Sequence, residues 1–125
     1  MKRMSRLLLV EDDAMLLRAL VRTLRRRIPV VTATNAIDAL AILDAGDCIG
    51  ILTDHDLEDR AHTGAWLLGQ AKARHPKVRR ILMTGNALLD RDEIERVAER
   101  VLLKPFPIET IVELLTNGSV FPKTA

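Results

Sequence analysis

Three consecutive acids, Glu11, Asp12 and Asp13, close the apolar run Leu7 to Val10, and Asp54 closes a second run, Ile51 to Thr53. Two further runs end on a single polar group: Arg80 to Met83 delivers Thr84, and Val101 to Leu103 delivers Lys104. In an open parallel α/β sheet, chemistry gathers at the carboxyl ends of the strands. The four runs therefore converge on one site centred on Asp54. If the first and third strands are neighbours, Glu11, Asp12 and Asp54 repel one another unless protons or a cation lie between them. A hard divalent ion with oxygen ligands suits such a set, and Mg²⁺ typically takes one or two carboxylates, waters and a phosphate. Lys104 can then bind a phosphoryl oxygen as a point charge, and Thr84 can donate to another. Together these groups suit a transferring phosphoryl group, with Asp54 as the nucleophile.

The elements that must position these residues can be read in order. Residues 6 to 10 form a strand. From Ala14 the period changes, and Leu17, Leu20, Val21, Leu24 and Ile28 mark an amphipathic helix ending near Pro29. Val30 to Ala33 is a second strand, and Thr34 or Asn35 caps a helix that turns Ile37, Leu40, Ala41 and Leu43 to the sheet until Gly46. Ile49 to Thr53 is the third strand, and Asp54 to Thr63 is a charged loop. Gly64 opens a third helix, with Leu67, Leu68 and Ala71 inward and Pro76 stopping it. Val78 to Met83 is the fourth strand. Asp90, with Glu93 three residues on, caps a fourth helix that buries Ile94, Val97 and Ala98. Val101 to Leu103 is the fifth strand, and Ile108 to Leu115 the last helix. Five strands alternating with five helices imply a doubly wound parallel α/β sheet.

Bulk composition bounds the function. The 125 residues suit one domain, and with 48% hydrophobic residues but only Trp66, Phe106 and Phe121 aromatic, the core must be aliphatic. The single Cys48 forbids an internal disulfide. The run Leu7 to Val10 is shorter than the ~7–15 residues of a signal-peptide core, and no run approaches the ~20 of a membrane span. A cytoplasmic location with no membrane contact is expected. Residues 1 to 27 hold eight Lys and Arg against three acids. Arg18, Arg22, Arg25 and Arg26 fall on the face opposite the apolar one, so a solvated surface is expected ahead of direct nucleic-acid binding.

The residues at the strand ends resemble the response-regulator receiver domain, the CheY-like family of bacterial two-component signalling, over residues 5 to 115. The resemblance implies a flavodoxin-like sheet of strand order 2-1-3-4-5, followed by a polar C-terminal tail at 116–125. It implies Mg²⁺ held by Glu11, Asp12, Asp54 and the backbone carbonyl of Asp56. Asp54 becomes the phosphoacceptor, served by Thr84 and Lys104, and the Lys104–Pro105 peptide is cis. Its partners are then a sensor histidine kinase or phosphotransfer protein and a downstream protein target. Output or homodimerisation would use the face of the fourth helix, fifth strand and fifth helix. Such a phosphorelay element dephosphorylates itself slowly and is not a multi-substrate turnover enzyme. Asp56 and Asn86, two residues beyond Asp54 and Thr84, flank the approach and are expected to set the phosphorylated lifetime, with Gly85 leaving space for water.

The chain departs from the family's pattern at several points. Leu57 and Glu58 stand where the family has Met and Pro, and Gly64 comes two places late, so the loop is enlarged. Val101 occupies the position of the aromatic switch residue, and Glu99 and Arg100 replace the Gly and Ala that often precede the fifth strand. Other residues carry plainer expectations. Asp13 reads as a helix cap, and His55, His62 and His75 as surface histidines whose spacing fits no metal motif. Cys48 reads as a small packed group, and Trp66 as half exposed. Two rival functions remain: a haloacid-dehalogenase-type phosphatase, suggested by the Asp-x-Asp of Asp54 and Asp56, and a binding-only pseudo-receiver. The first expects the metal acids late, whereas Glu11 and Asp12 come early; the second usually lacks the Asp, Lys or acid pair.

Overall fold

Alternation within the strands decides how the chain layers. In the computed structural model, which describes residues 6–57 and 61–117, Leu7, Leu9, Leu52, Ile81 and Met83 bury themselves on one face of a sheet, and Leu8, Val10, Ile51 and Leu82 on the other. A sheet apolar on both faces must be covered on both. The strands are β1 (Arg6–Val10), β2 (Val30–Ala33), β3 (Cys48–Asp54), β4 (Arg79–Thr84) and β5 (Arg100–Leu103). All pairings are parallel, in the order β2-β1-β3-β4-β5. The helices are α1 (Ala14–Leu24), α2 (Ala36–Ala45), α3 (Gly64–Arg74), α4 (Arg91–Glu95) and α5 (Ile108–Asn117). Leu20 and Leu24 of α1 and Ile111 of α5 complete the first core, while α2, α3 and α4 complete the second. Among the described residues, no helix is long and apolar enough to cross a membrane.

Side-chain caps fix where the helices start. Asp13 accepts from the amides of Met15 and Leu16, Asn35 from Asp38, Thr63 from Trp66, and Asp90 from Asp92 and Glu93. Gly46 ends α2 at φ 95° and Asp47 follows at φ 72°, a left-handed pair that turns the chain into β3. The Lys104–Pro105 peptide is cis.

Three helices differ from the sequence expectation. Helix α1 stops at Leu24, and Arg25 to Ile28 leave it in a turn rather than carrying the helix to Pro29. In α2 the buried positions are Ala36, Ala39, Leu40 and Leu43, whereas Ile37 and Ala41 face outward. Nearly every residue of this helix is apolar, so the pattern carries no phase, and packing selects the face with two small alanines. Helix α4 is shorter than its stripe suggests. It stops at Glu95, and Val97 and Ala98 turn back onto Ile94 so that Glu99 can hydrogen-bond Arg80 and start β5. Glu58 of the enlarged loop, and the part of the expected tail from Gly118 on, lie outside the described residues.

Candidate functional site

Register places the chemistry. Val10 pairs with Thr53, Asp54 with Met83, and Thr84 with Leu103. Glu11, Asp54, Thr84 and Lys104 therefore stand side by side at one edge of the sheet. Each is anchored through the main chain: the Glu11 amide donates to Ala33, His55 to Met83, and Lys104 to Thr84. Glu11, Asp54 and Thr84 are only 1%, 5% and 1% exposed. Asp12 is half-buried beside them, whereas Asp13 turns away to cap α1. The ligand oxygens of Glu11, Asp12 and Asp54 all lie within 4.8 Å of one another.

One ammonium answers these carboxylates. Lys104 Nζ stands 2.9 Å from Glu11 Oε1 and 3.1 Å from Asp54 Oδ1. The second Glu11 oxygen accepts from the Asp13 amide at 3.1 Å. Burial nevertheless pushes the Glu11 carboxyl above its ordinary value; Lys104 and the Asp13 amide only partly offset this, and repulsion from Asp54 adds to it. Asp54 is also pushed up by burial, against the pull of Lys104 and with repulsion from Asp56 and Asp12. Burial disfavours the Lys104 charge, but the ion pairs with Glu11 and Asp54 outweigh it and raise its pKa. Three carboxylates with two of them buried, and a single cation, leave excess negative charge. That donor set fits a small hard divalent cation such as Mg²⁺.

The acidic edge is also held from below. The Gly64 amide donates to the His55 carbonyl at 2.8 Å, and a Cβ built on Gly64 would lie 2.1 Å from the Asp54 carbonyl oxygen. Only glycine permits that approach, so the first residue of α3 rests directly on the backbone of Asp54. Thr84 Oγ1 accepts from the Asn86 amide at 3.0 Å, which leaves its hydroxyl proton for an acceptor beyond the loop. The Asn86 side chain is turned into its own loop, where Oδ1 accepts from the Leu88 amide. Asp56 is exposed but close enough for its charge to act on Asp54. A Cβ at Gly85 would meet no atom within 4 Å, so the approach is open there.

Other residues singled out in the sequence behave more plainly. His55, His62 and His75 are half-buried and join no metal-holding cluster among the described residues. His75 and Arg74 clasp Asp44, each at 2.7 Å, and His62 packs on Trp66. Burial raises the Cys48 thiol, which suits a packed rather than a reactive role. Val101 is half-buried against the α2–α3–α4 core. Sequence reasoning assigned Lys104 to a phosphoryl oxygen and missed its bridge between Glu11 and Asp54. It also missed the pressure of Gly64 on Asp54, for which a glycine at a helix start was the one available signal.

Comparison with known proteins agrees with this arrangement. Residues 7–116 match the family model described as the response regulator receiver domain. The fold is similar to a CheY-like response regulator receiver domain protein from Methanospirillum hungatei JF-1, at TM-score 0.82 and 26% identity over 91% of this chain and 92% of that one. It is similar to the receiver domain of a sensor histidine kinase from Pseudomonas aeruginosa PAO1, at TM-score 0.75 and 25% identity over 90% and 95% of the two chains. That structure has a magnesium ion coordinated in its active-site cleft. The fold is also that of a chemotaxis response regulator from Vibrio cholerae, at TM-score 0.81 and 23% identity over 91% and 98%. A search of curated proteins finds no match.

Proposed function

The chain belongs to the response regulator receiver family, and on that premise we propose that it is a phosphorelay switch accepting a phosphoryl group on Asp54 from a sensor histidine kinase or a phosphotransfer protein. The observation that carries this reading is the meeting of three carboxylates with one ammonium at the strand ends. Glu11, Asp12 and Asp54, with the backbone carbonyl of Asp56, would hold Mg²⁺. When bound, the ion supplies positive charge against the carboxylates and the phosphoryl oxygens. A carboxylate oxygen of Asp54 forms the new O–P bond as the donor's N–P bond breaks, and the leaving imidazole takes up a proton. Lys104 holds Asp54 in line and offers its ammonium to one phosphoryl oxygen; Thr84 donates its hydroxyl proton to another. Gly85 keeps a path open for the water that later cleaves the acyl phosphate, with Asp56 and Asn86 at its sides. The family is generally not one of turnover enzymes, and the output is a changed affinity for another protein. The order of the acids and the family match favour this reading over a haloacid-dehalogenase-type hydrolase.

Intact-protein mass after incubation with Mg²⁺ and acetyl phosphate tests it. The expected result is one base-labile phosphoryl adduct on the wild type, absent in Asp54→Asn and without Mg²⁺. A folded wild type with neither an adduct nor Asp54-dependent phosphate release overturns the proposal in favour of a binding-only domain.

A further inference from the structure

A second concavity lies between α3 and α4. The cleft measures about 650 Å³, within the ~300–1,000 Å³ typical of ligand pockets. It is wedge-shaped. At its lower end α3 meets the chain just after α4, where a Cβ on Gly69 would lie 3.6 Å from Val97 and where Lys72 Nζ donates to the Arg96 carbonyl. At its upper end it opens between Trp66 on α3 and Asp90 and Glu93 on α4, with His55 at the inner end, one peptide bond from Asp54.

The lining has a specific chemistry. Trp66 is half-buried, its ring held by His62 at a centroid distance of 4.2 Å. Asp90 commits one carboxylate oxygen to capping α4. The Glu93 carboxylate has no partner among the described residues, and His55 Nδ1 is buried without one. None of the described lining residues is Lys or Arg. An aromatic wall, an apolar floor and an unanswered carboxylate at the mouth complement a long side chain that is apolar along its stem and cationic at its tip. A planar guanidinium can stack on the indole while hydrogen-bonding the carboxylate, which an ammonium cannot do equally well.

The geometry points to the α3–α4 cleft as a docking site for an arginine-bearing segment of a partner protein, its stem along Trp66 and its guanidinium on Glu93. This site is separate from the acidic edge and does not depend on phosphorylation of Asp54. Trp66 is the only tryptophan in the chain, so its fluorescence reports the cleft alone. The probe is a capped pentapeptide with a central arginine between leucines, titrated into the full chain, against the same peptide carrying neutral citrulline. The expected result is a saturable change in emission, weakened roughly tenfold by citrulline or by Glu93→Gln, as loss of one charge-assisted contact implies. Glu95→Gln, which alters a carboxylate already paired with Arg91, controls for general charge and should leave the midpoint within about twofold of the wild type. Circular dichroism checks that both variants fold. No saturable change up to millimolar peptide overturns the proposal, as does equal binding of the citrulline peptide or an equal effect of the two variants. A change in emission with protein concentration alone overturns it too, since it assigns the cleft to a second copy of the chain.

Discussion

Asp54→Asn should stabilise the metal-free protein, and the structure gives the size of the effect. Asp54 loses repulsion from two carboxylates within 4.8 Å and attraction to Lys104 at 3.1 Å. With an effective dielectric constant of about 20, each repulsion is worth about 3.5 kcal/mol and the attraction about 5.4 kcal/mol. Removing the charge therefore gains about 1.5 kcal/mol, and Lys104 still keeps Glu11. For a domain of this size that is a rise in melting temperature of roughly 6 °C. Thermal unfolding in EDTA, followed by circular dichroism, reads it directly. Adding Mg²⁺ should then reverse the order of the two proteins. The wild type gains about 2.7 kcal/mol at a hundredfold excess over its dissociation constant, while the variant, short of one carboxylate, gains less. An unchanged or lower melting temperature for the variant in EDTA would refute the claim that burial and repulsion together outweigh the pull of Lys104 at this edge.

The pH dependence of that difference has a definite sign. Burial raises Glu11 and Asp54 above their ordinary 4.5 and 3.8, so the folded state binds these protons more tightly than the unfolded one, and their contribution falls as pH rises through the raised values. Lys104, raised above 10.5, keeps its own contribution until pH passes that value. The stability gap between Asp54→Asn and wild type should thus be near zero below about pH 3.8 and widen towards neutrality in metal-free urea titrations; a gap constant with pH would contradict it. Gly64→Ala would set a methyl group 2.1 Å from the Asp54 carbonyl oxygen. It should cost about 3 kcal/mol or more in urea unfolding and slow phosphorylation by acetyl phosphate, whereas a neutral outcome would mean α3 shifts freely. Asp56→Asn should change the dephosphorylation rate more than the phosphorylation rate in paired phosphate-release and mass assays, and equal changes would remove Asp56 as a modulator.

Much of the fold was legible because its signals were local. Four of the five strands were apolar runs ending on acidic or other polar groups, and α1 carried a stripe through Leu20 and Leu24, both fully buried. The caps Asp13 and Asp90 were readable from residue type and position alone, while the structure chooses Asn35 over Thr34 for α2. Signals failed where a choice belonged to the tertiary structure. Helix α2 is apolar on nearly every side, so only the sheet beneath it selects Ala36 and Ala39 over Ile37. The α4 stripe through Ile94, Val97 and Ala98 has helical spacing, yet the demand that Glu99 reach Arg80 ends the helix early. The bridge from Lys104 to Glu11 joins residues 93 positions apart and follows only once β1, β3, β4 and β5 are placed side by side.

The displaced glycine shows how this site tolerates a longer loop. What the site requires of the segment after Asp54 is its two ends. At the first, the His55 amide must donate to Met83, which keeps Asp54 at the edge of the sheet; at the second, α3 must start with a residue small enough to rest on the Asp54 carbonyl. Between these fixed points the loop can lengthen at small cost, because closure entropy grows only slowly with length. The functional constraint therefore travels with Gly64 rather than with a count of residues from Asp54. Leu57 supports the same view, being buried against the second core where it anchors the first turn of the loop. Val101 illustrates the converse case. It keeps its place on β5 beside Leu82, but a short branched side chain lacks the reach of a ring, and it stays half-buried against the second core.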